Sequence, residues 1–418
     1  MSSAVDRDFR NRISSDFYNR ALREEYSEFL KSVGREEDAR RALHFPVKPL
    51  RPVSLKTSDI GAYNKKQLLP GFDSLVVEIS PLFNQAQIPE DIKTKYINPR
   101  IGKNYEIEAS GVTISNDCLL SSNGGFVFEN IHFAADNRLS REAYVKGIAY
   151  APGMEWHYDL ANLPAPTPGK FYIAQHHPML NYYHFLIEQA PNLCLWKMQG
   201  DIKDYTIFLI ENGFRKLFEQ VLNLLDIDEK SYEFKKGSLF CFESCSRPQY
   251  SSNNSKQNKI NFITAKTIAF AEFLRVESND QERVKIYISR ADANGKRGVV
   301  NDEEVCSLLE KRGYQIVKLD GMQLSEQVNL FSKASVVIGA HGAGLTNTMF
   351  CKPGTHVIEL TNDFTCSRLE IFWDIASVFK LNFSAVVSES LHKDFSASFK
   401  VDIRRLEETL DLVEEGIK

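Results

Sequence analysis

The sequence predicts an α/β protein built from two Rossmann-like halves that face each other, preceded by a helical extension and a β-rich stretch. Three observations point there. From Gly169 onward, apolar strand-length runs alternate with helical periodicity; the strands are apolar throughout, as strands covered on both faces are; and the polar run "SSNNSKQNK" splits the alternation into two sets. At 418 residues with 43% apolar composition, the chain is long enough for two or three domains. The expected boundaries are 1–45, 46–168, 169–277 and 278–418.

Residues 6–42 place Phe9, Ile13, Phe17, Leu22, Tyr26, Phe29, Leu30 and Val33 on one helical face, with charges on the other, which predicts an amphipathic helical pair. Between 46 and 168, "SLVVEIS", "YEIEASGVTIS" and "GGFVFENIHF" predict short strands punctuated by turns. "LPAPTPG" marks a domain entry. Next come strand "KFYIAQ", helix "PMLNYYHFLIEQAPNLCLW", strand "YTIFLI", helix "FRKLFEQVLNLL" and helix "INFITAKTIAFAEFLRV". The last set reads as strand "VKIYIS", a helix from Asn301 opened by a capping box with Glu304, strand "YQIVKL", helix "SEQVNLFSKA", strand "SVVIGA", a glycine turn and strand "THVIEL".

A net charge of −4 offers no overall field for nucleic acid, and none is expected as a partner. No basic segment followed by an apolar run opens the chain, and the uncharged stretch Ala334–Cys351 is too broken by Gly, His and Asn to span a bilayer. Seven scattered cysteines suit a reducing compartment, so a soluble cytoplasmic setting is expected. Cys241 and Cys245 form the one close pair and lack two further zinc ligands.

"VIGAHGAGLTNTMF" is the segment richest in chemical implication. A buried strand that runs into glycines leaves N–H groups at the carboxyl edge of the sheet, where open α/β folds bind ligands. Gly342 and Gly344 would let a diphosphate approach the main chain, and His341 would add a side-chain hydrogen bond. A tight turn with no ligand is the alternative. Arg290 stands just past the end of the first strand of the same half, where a guanidinium could grip phosphate; Arg297, in "ADANGKRG", is a second candidate or an exposed loop base. Glu359 stands near the end of "THVIEL", placed either to accept from both ribose hydroxyls or to serve as a helix cap or surface ion pair.

In the other half His184 and Glu188 stand four apart on one helix face, so the carboxylate can orient the imidazole for proton abstraction. A buried packing pair, or a metal site completed by His176 or His177, are the alternatives. Glu155, His157 and Asp159 in "MEWHYD" are rival bases. Tyr182, Tyr183 and Trp196 read as packing residues. The Asp-x-Asp strings at Asp6 and Asp226 follow no apolar strand, so metal-free chemistry is expected, with no cofactor.

"NYYHFLIEQAPNL", "IYISR" and "VVIGAHGAGLTNTMFCKPGTHVIEL" together resemble the family 61 glycosyltransferases. The resemblance implies a GT-B fold and inverting transfer from a nucleotide-sugar, usually a UDP-sugar, without an obligatory metal. By position it assigns His341, Gly342, Ala343, Gly344 and Asn347 to a nucleotide loop, Arg290 to a phosphate contact, and His184 and Glu188 to an N-terminal helix motif. It also implies a glycan or lipid-linked saccharide acceptor and, without an anchor, a cytoplasmic bacterial-type enzyme at or near the inner membrane face. The charged helices at the start suggest a homodimer. A non-catalytic nucleotide or sugar binder in an assembly complex is the competing class.

Overall fold

The computed structural model describes residues 5, 20–36, 39, 51–53, 65–68, 72–121, 127–129, 132–134, 149–150, 156–158, 167–175, 181–236, 239–248, 259–276, 283–290, 298–391 and 398–417. Of the expected helical pair, helix Arg20–Ser32 lies within them; Tyr26 and Leu30 are buried and Ser27 Oγ donates to the Ala39 carbonyl at 2.9 Å. Among the described residues no helix is long and apolar enough to cross a membrane.

The C-terminal half is a five-stranded parallel sheet, ordered Gln315–Val317, Val284–Ile288, Ala334–Ala340, His356–Asn362, Asn382–Ser388. Alternate residues serve opposite faces. Ile286, Ile288, Val337 and Val357 enter one core, while Tyr287, Val336, Ile338, Ile358 and Leu360 enter a second that also includes Val305 and Leu309 of helix Asp302–Lys311 and Leu406 and Leu410 of helix Ile403–Ile417. Burial on both faces is what the unbroken apolar strands require. Strand order reverses between Val284–Ile288 and Ala334–Ala340, so a crevice forms at their carboxyl ends. Arg290 follows the first strand and His341 follows the second.

In the first half, parallel strands Tyr232–Lys235, Thr206–Ile210, Thr167–Ile173 and Leu239–Pro248 continue antiparallel into Gly111–Ser121 and Lys65–Leu68. The expected boundary at 168 falls inside strand Thr167–Ile173, and this sheet draws strands from both sides of it.

Two local expectations are corrected. "INFITAKTIAFAEFLRV" is not one helix: Lys259–Thr264 is a strand, parallel to Asn104–Glu108, and the helix is Ala265–Leu274. Thr264 and Thr267 form a reciprocal cap that fixes the switch. Asn301 does sit at the N-cap of helix Asp302–Lys311, but its side chain makes no cap hydrogen bond. Its amide instead clamps residue 401, accepting from Val401 N at 2.8 Å and donating to Val401 O at 3.1 Å.

The halves do not stand apart along their whole facing surface. One hydrophobic core contains Phe185, Leu193 and Phe270 from the first half and Leu324, Phe350 and Phe372 from the second. Residues 79–100 tie in as well: Asn84 bridges Ala385 and Thr409, Trp373 Nε1 donates to Ser80 O at 2.9 Å, and Arg100 pairs with Glu370 and Asp374.

Candidate active site

The helical run over 182–198 is where the first half meets the crevice. Asn181 caps it, its side chain accepting from Tyr183 N at 2.9 Å. The run widens to a π turn at Phe185–Gln189 just before Pro191. The cause is legible in the sequence: proline has no N–H for the carbonyl four residues back, Ile187, and its ring would crowd that oxygen. Ile187 O is satisfied from outside, by Thr267 Oγ1 at 2.9 Å. That bond docks the first turn of helix Ala265–Leu274 beside Glu188.

His184 Nδ1 is hydrogen-bonded to Glu188 Oε1, with side chains 17% and 9% exposed. Phe262 packs edge-on to the His184 ring at 5.3 Å. Phe262 holds a left-handed backbone, φ 65°, where the pairing register of its strand shifts. Such a conformation is costly for an aromatic residue and concentrates at functional sites. Lys266 is 2% exposed on the same helix turn. Burial pulls its pKa down to about 7, against the attraction of Glu188 and Glu108. Sequence reasoning missed this lysine because it merged the strand and the helix around it.

Across the crevice a second pair has the same chemistry. His341 Nδ1 lies 2.6 Å from Glu359 Oε1. Glu359 is fully buried on a central strand, and its Oε2 has no hydrogen-bond partner among the described residues. Burial pushes its carboxyl pKa up, with His341 pulling the other way. Expected on a ribose, Glu359 instead has no exposed surface and touches the imidazole.

The two pairs share an aromatic partition. Phe372 packs on His341 at 5.2 Å and on Tyr183 at 6.3 Å, and Tyr183 packs on His184 at 5.2 Å. Behind Phe372, Asp374 is pushed up to about 7 by burial despite its Arg100 partner.

The glycines are occupied differently from the expectation. A Cβ on Gly342 would meet Arg290 Nη1 at 2.4 Å; one on Gly344 would meet Leu319 at 3.2 Å; one on Gly339 would meet Leu345 at 3.1 Å. Gly342 therefore makes room for a guanidinium, which donates from Nη1 to His341 O at 3.0 Å, and the other two make room for apolar packing. The turn still has a ligand-facing character. His341 N is committed to Leu360 O and Leu345 N to Gly342 O, but the amides of Gly342, Ala343 and Gly344 have no backbone partner among the described residues. Ala343 and Gly344 are part-exposed at the start of the 3-10 helix Ala343–Phe350. The end of the strand that leads to Arg290 is pinned: Tyr287 OH and Ser289 Oγ, on either side of Ile288, both donate to the Asp302 carboxylate.

Asn347 is fully buried. It receives or donates hydrogen bonds with Tyr182 OH at 2.9 Å, Gln327 Oε1 at 2.9 Å and Gly344 O at 3.2 Å, which makes it a strut of the loop. Tyr182, expected to pack, also supplies a polar link between the halves. Trp196 does pack, its Nε1 donating to Tyr205 O. Arg297, Glu155, Asp159, His176 and His177 lie outside the described residues, as do the side chains of His157 and Cys241. Among the described residues no group of three or more His, Cys, Asp or Glu is arranged to hold a metal ion.

Residues 182–358 match the family model described as glycosyltransferase 61. The crystal structure of the bacterial iron-containing dodecameric glycosyltransferase TibC from enterotoxigenic E. coli H10407 is similar at 11% sequence identity and a TM-score of 0.26, over 76% of this chain and 78% of that chain. No curated protein matches the chain. The matched span holds the His184–Glu188 helix, the buried lysine, Arg290 and the glycine turn, and through it the chain is a glycosyltransferase with a family 61 domain over residues 182–358.

Proposed function

We propose that the protein moves a sugar, with inversion, from a nucleotide-sugar of the UDP class to a hydroxyl of a glycan or lipid-linked saccharide, without a metal ion. His184 takes the acceptor hydroxyl proton while the acceptor oxygen bonds to the anomeric carbon. The bond from that carbon to the diphosphate breaks, and its electron pair leaves with the diphosphate. Glu188 holds the imidazole by Nδ1, so that the other ring nitrogen serves as base. The amides of Gly342, Ala343 and Gly344, with Arg290 and His341, stabilise the charge that develops on the leaving group.

One observation supports this above the others: two histidine–carboxylate pairs, one from each half, pack on the same Tyr183–Phe372 partition at the carboxyl edges of the two sheets. An inverting transfer needs a base on one side of the sugar and charge stabilisation on the other, which is the division these halves offer.

A panel of nucleotide-sugars incubated with the protein in EDTA tests the proposal. Slow hydrolysis of one donor, lost in His184→Ala but with UDP still bound, is expected. Tight nucleotide binding with no turnover, with or without saccharide acceptors, would leave a binding protein instead.

A further inference from the structure

The two histidine–carboxylate pairs look alike in sequence yet differ in surroundings, and the difference assigns them different work. We propose that Glu359 is a positioning residue that fixes His341 as an N–H donor at Nε2, aimed at a diphosphate oxygen, and so excludes His341 from acting as the base. The inference rests on the nucleotide-sugar reading and deepens it.

The argument is one of counting protons. With Nδ1 bonded to Glu359, the pair can hold two protons or one. Two protons give an imidazolium beside a carboxylate or a neutral imidazole accepting at Nδ1 from a carboxylic acid, both with hydrogen on Nε2; a third form, with the second proton on Oε2, would bury that hydroxyl hydrogen without an acceptor among the described residues. One proton gives a net negative pair with Nε2 bare. Glu359 is 0% exposed and its Oε2 has no hydrogen-bond partner among the described residues. A net negative charge there would lack both water and a compensating donor, a large cost in a low-dielectric interior. The two-proton form is therefore the resting one, and Nε2 is a donor. His341 Nε2 has no partner among the described residues, so its hydrogen is available to a ligand.

The His184–Glu188 pair stands in the opposite field. Both its members retain some exposure, and Glu188 is attracted by buried Lys266. Residual exposure to water, and Lys266 whenever it is protonated, make a charge on Glu188 less costly than one on Glu359, so this pair can rest with one proton, on Nδ1, and keep an Nε2 lone pair for an acceptor hydroxyl. Other charged groups around His341 are Arg290, on its carbonyl, and Asp374 and Glu370, which Arg100 holds behind Phe372. Environments that push two similar pairs toward opposite proton counts are how one site obtains both an acid-like and a basic partner.

Nitrogen-15 NMR of histidine-labelled protein at pH 7.5 reads this directly. Wild type is expected to show a protonated Nε2 on His341 before ligand is added, with that signal moving when UDP binds. Glu359→Gln keeps an acceptor for Nδ1–H but removes the exchangeable proton, so Nε2 should become bare and UDP affinity should fall about tenfold, the loss of one charge-assisted hydrogen bond. In a His341→Ala background the same substitution should cost no further affinity. A bare Nε2 in wild type, or Glu359→Gln weakening UDP equally with and without His341, would overturn the assignment. Should Glu359→Gln fail to fold, the wild-type spectrum decides alone. Absence of any nucleotide binding, with Nε2 protonated as expected, would sink the nucleotide-sugar proposal and leave the proton count standing.

Discussion

The hydroxyl of Tyr182 lies 2.9 Å from Oδ1 of Asn347 and 3.1 Å from Oε1 of Gln327, spanning from the cap of the first half's helix to the glycine loop of the second. All three groups are largely withdrawn from water, and burial raises the tyrosine pKa well above its usual value. A neutral hydroxyl is thus kept as one polar joint between the halves.

Tyr182→Phe removes that joint while leaving the ring. Two buried oxygens lose a neighbour, and unfolding by urea should show a loss of about 1–3 kcal/mol. UDP affinity should fall with it, since Asn347 also supports Gly344 O. Unchanged stability would mean that water replaces the hydroxyl.

His184→Ala should lower transfer, or donor hydrolysis, by about 10²–10⁴-fold, the usual range for a positioned base. UDP affinity should stay within about twofold. Near-normal turnover in a folded variant would move the base elsewhere, with the "MEWHYD" side chains next to test.

Gly342→Ala places a methyl group where Arg290 Nη1 lies. The guanidinium is the far end of a flexible side chain, so folding should be affected by less than about 1 kcal/mol, while UDP affinity drops about tenfold as the phosphate contact is displaced. In an Arg290→Ala background the added methyl should cost little. Calorimetric titration with UDP of the four variants checks both halves of the expectation.

Lys266→Met tests the buried ammonium. The folded pKa of about 7 lies below the model-peptide value of 10.5, so between those limits the unfolded chain binds the extra proton and wild-type stability rises with pH. Relative to Lys266→Met, wild type should gain up to about 1.4 kcal/mol per pH unit across that window, and the two curves should run parallel below about pH 6. Parallel curves throughout would show that Lys266 holds its proton in the folded state as it does in the unfolded chain, with no lowering of its pKa.

Periodicity and punctuation made the C-terminal sheet legible. Strands such as "VKIYIS" and "SVVIGA" could only be doubly covered, and a strand that runs into three glycines could only end at the ligand-binding edge of an α/β sheet. His184 with Glu188 was equally legible, because four residues on a helix is a fixed separation. Less visible was the strand inside "INFITAKTIAFAEFLRV", where β-branched residues suit either state until a partner strand chooses. The same ambiguity hid Lys266, whose position is set by Thr267 bonding to a carbonyl that Pro191 left free.

The amino-acid order by itself determined which segments form strands at the crevice and which side chains stand at their ends, because side-chain periods of 2 and 3.6 are local properties of the backbone. Only the tertiary structure decided what those side chains do there. It turned Glu359 inward onto His341, filled the space over Gly342 with Arg290, made Asn347 a strut, and set Lys266 beside Glu188. Each of those outcomes depends on distances between residues far apart in the chain, and on how much water the packed halves leave at each charge.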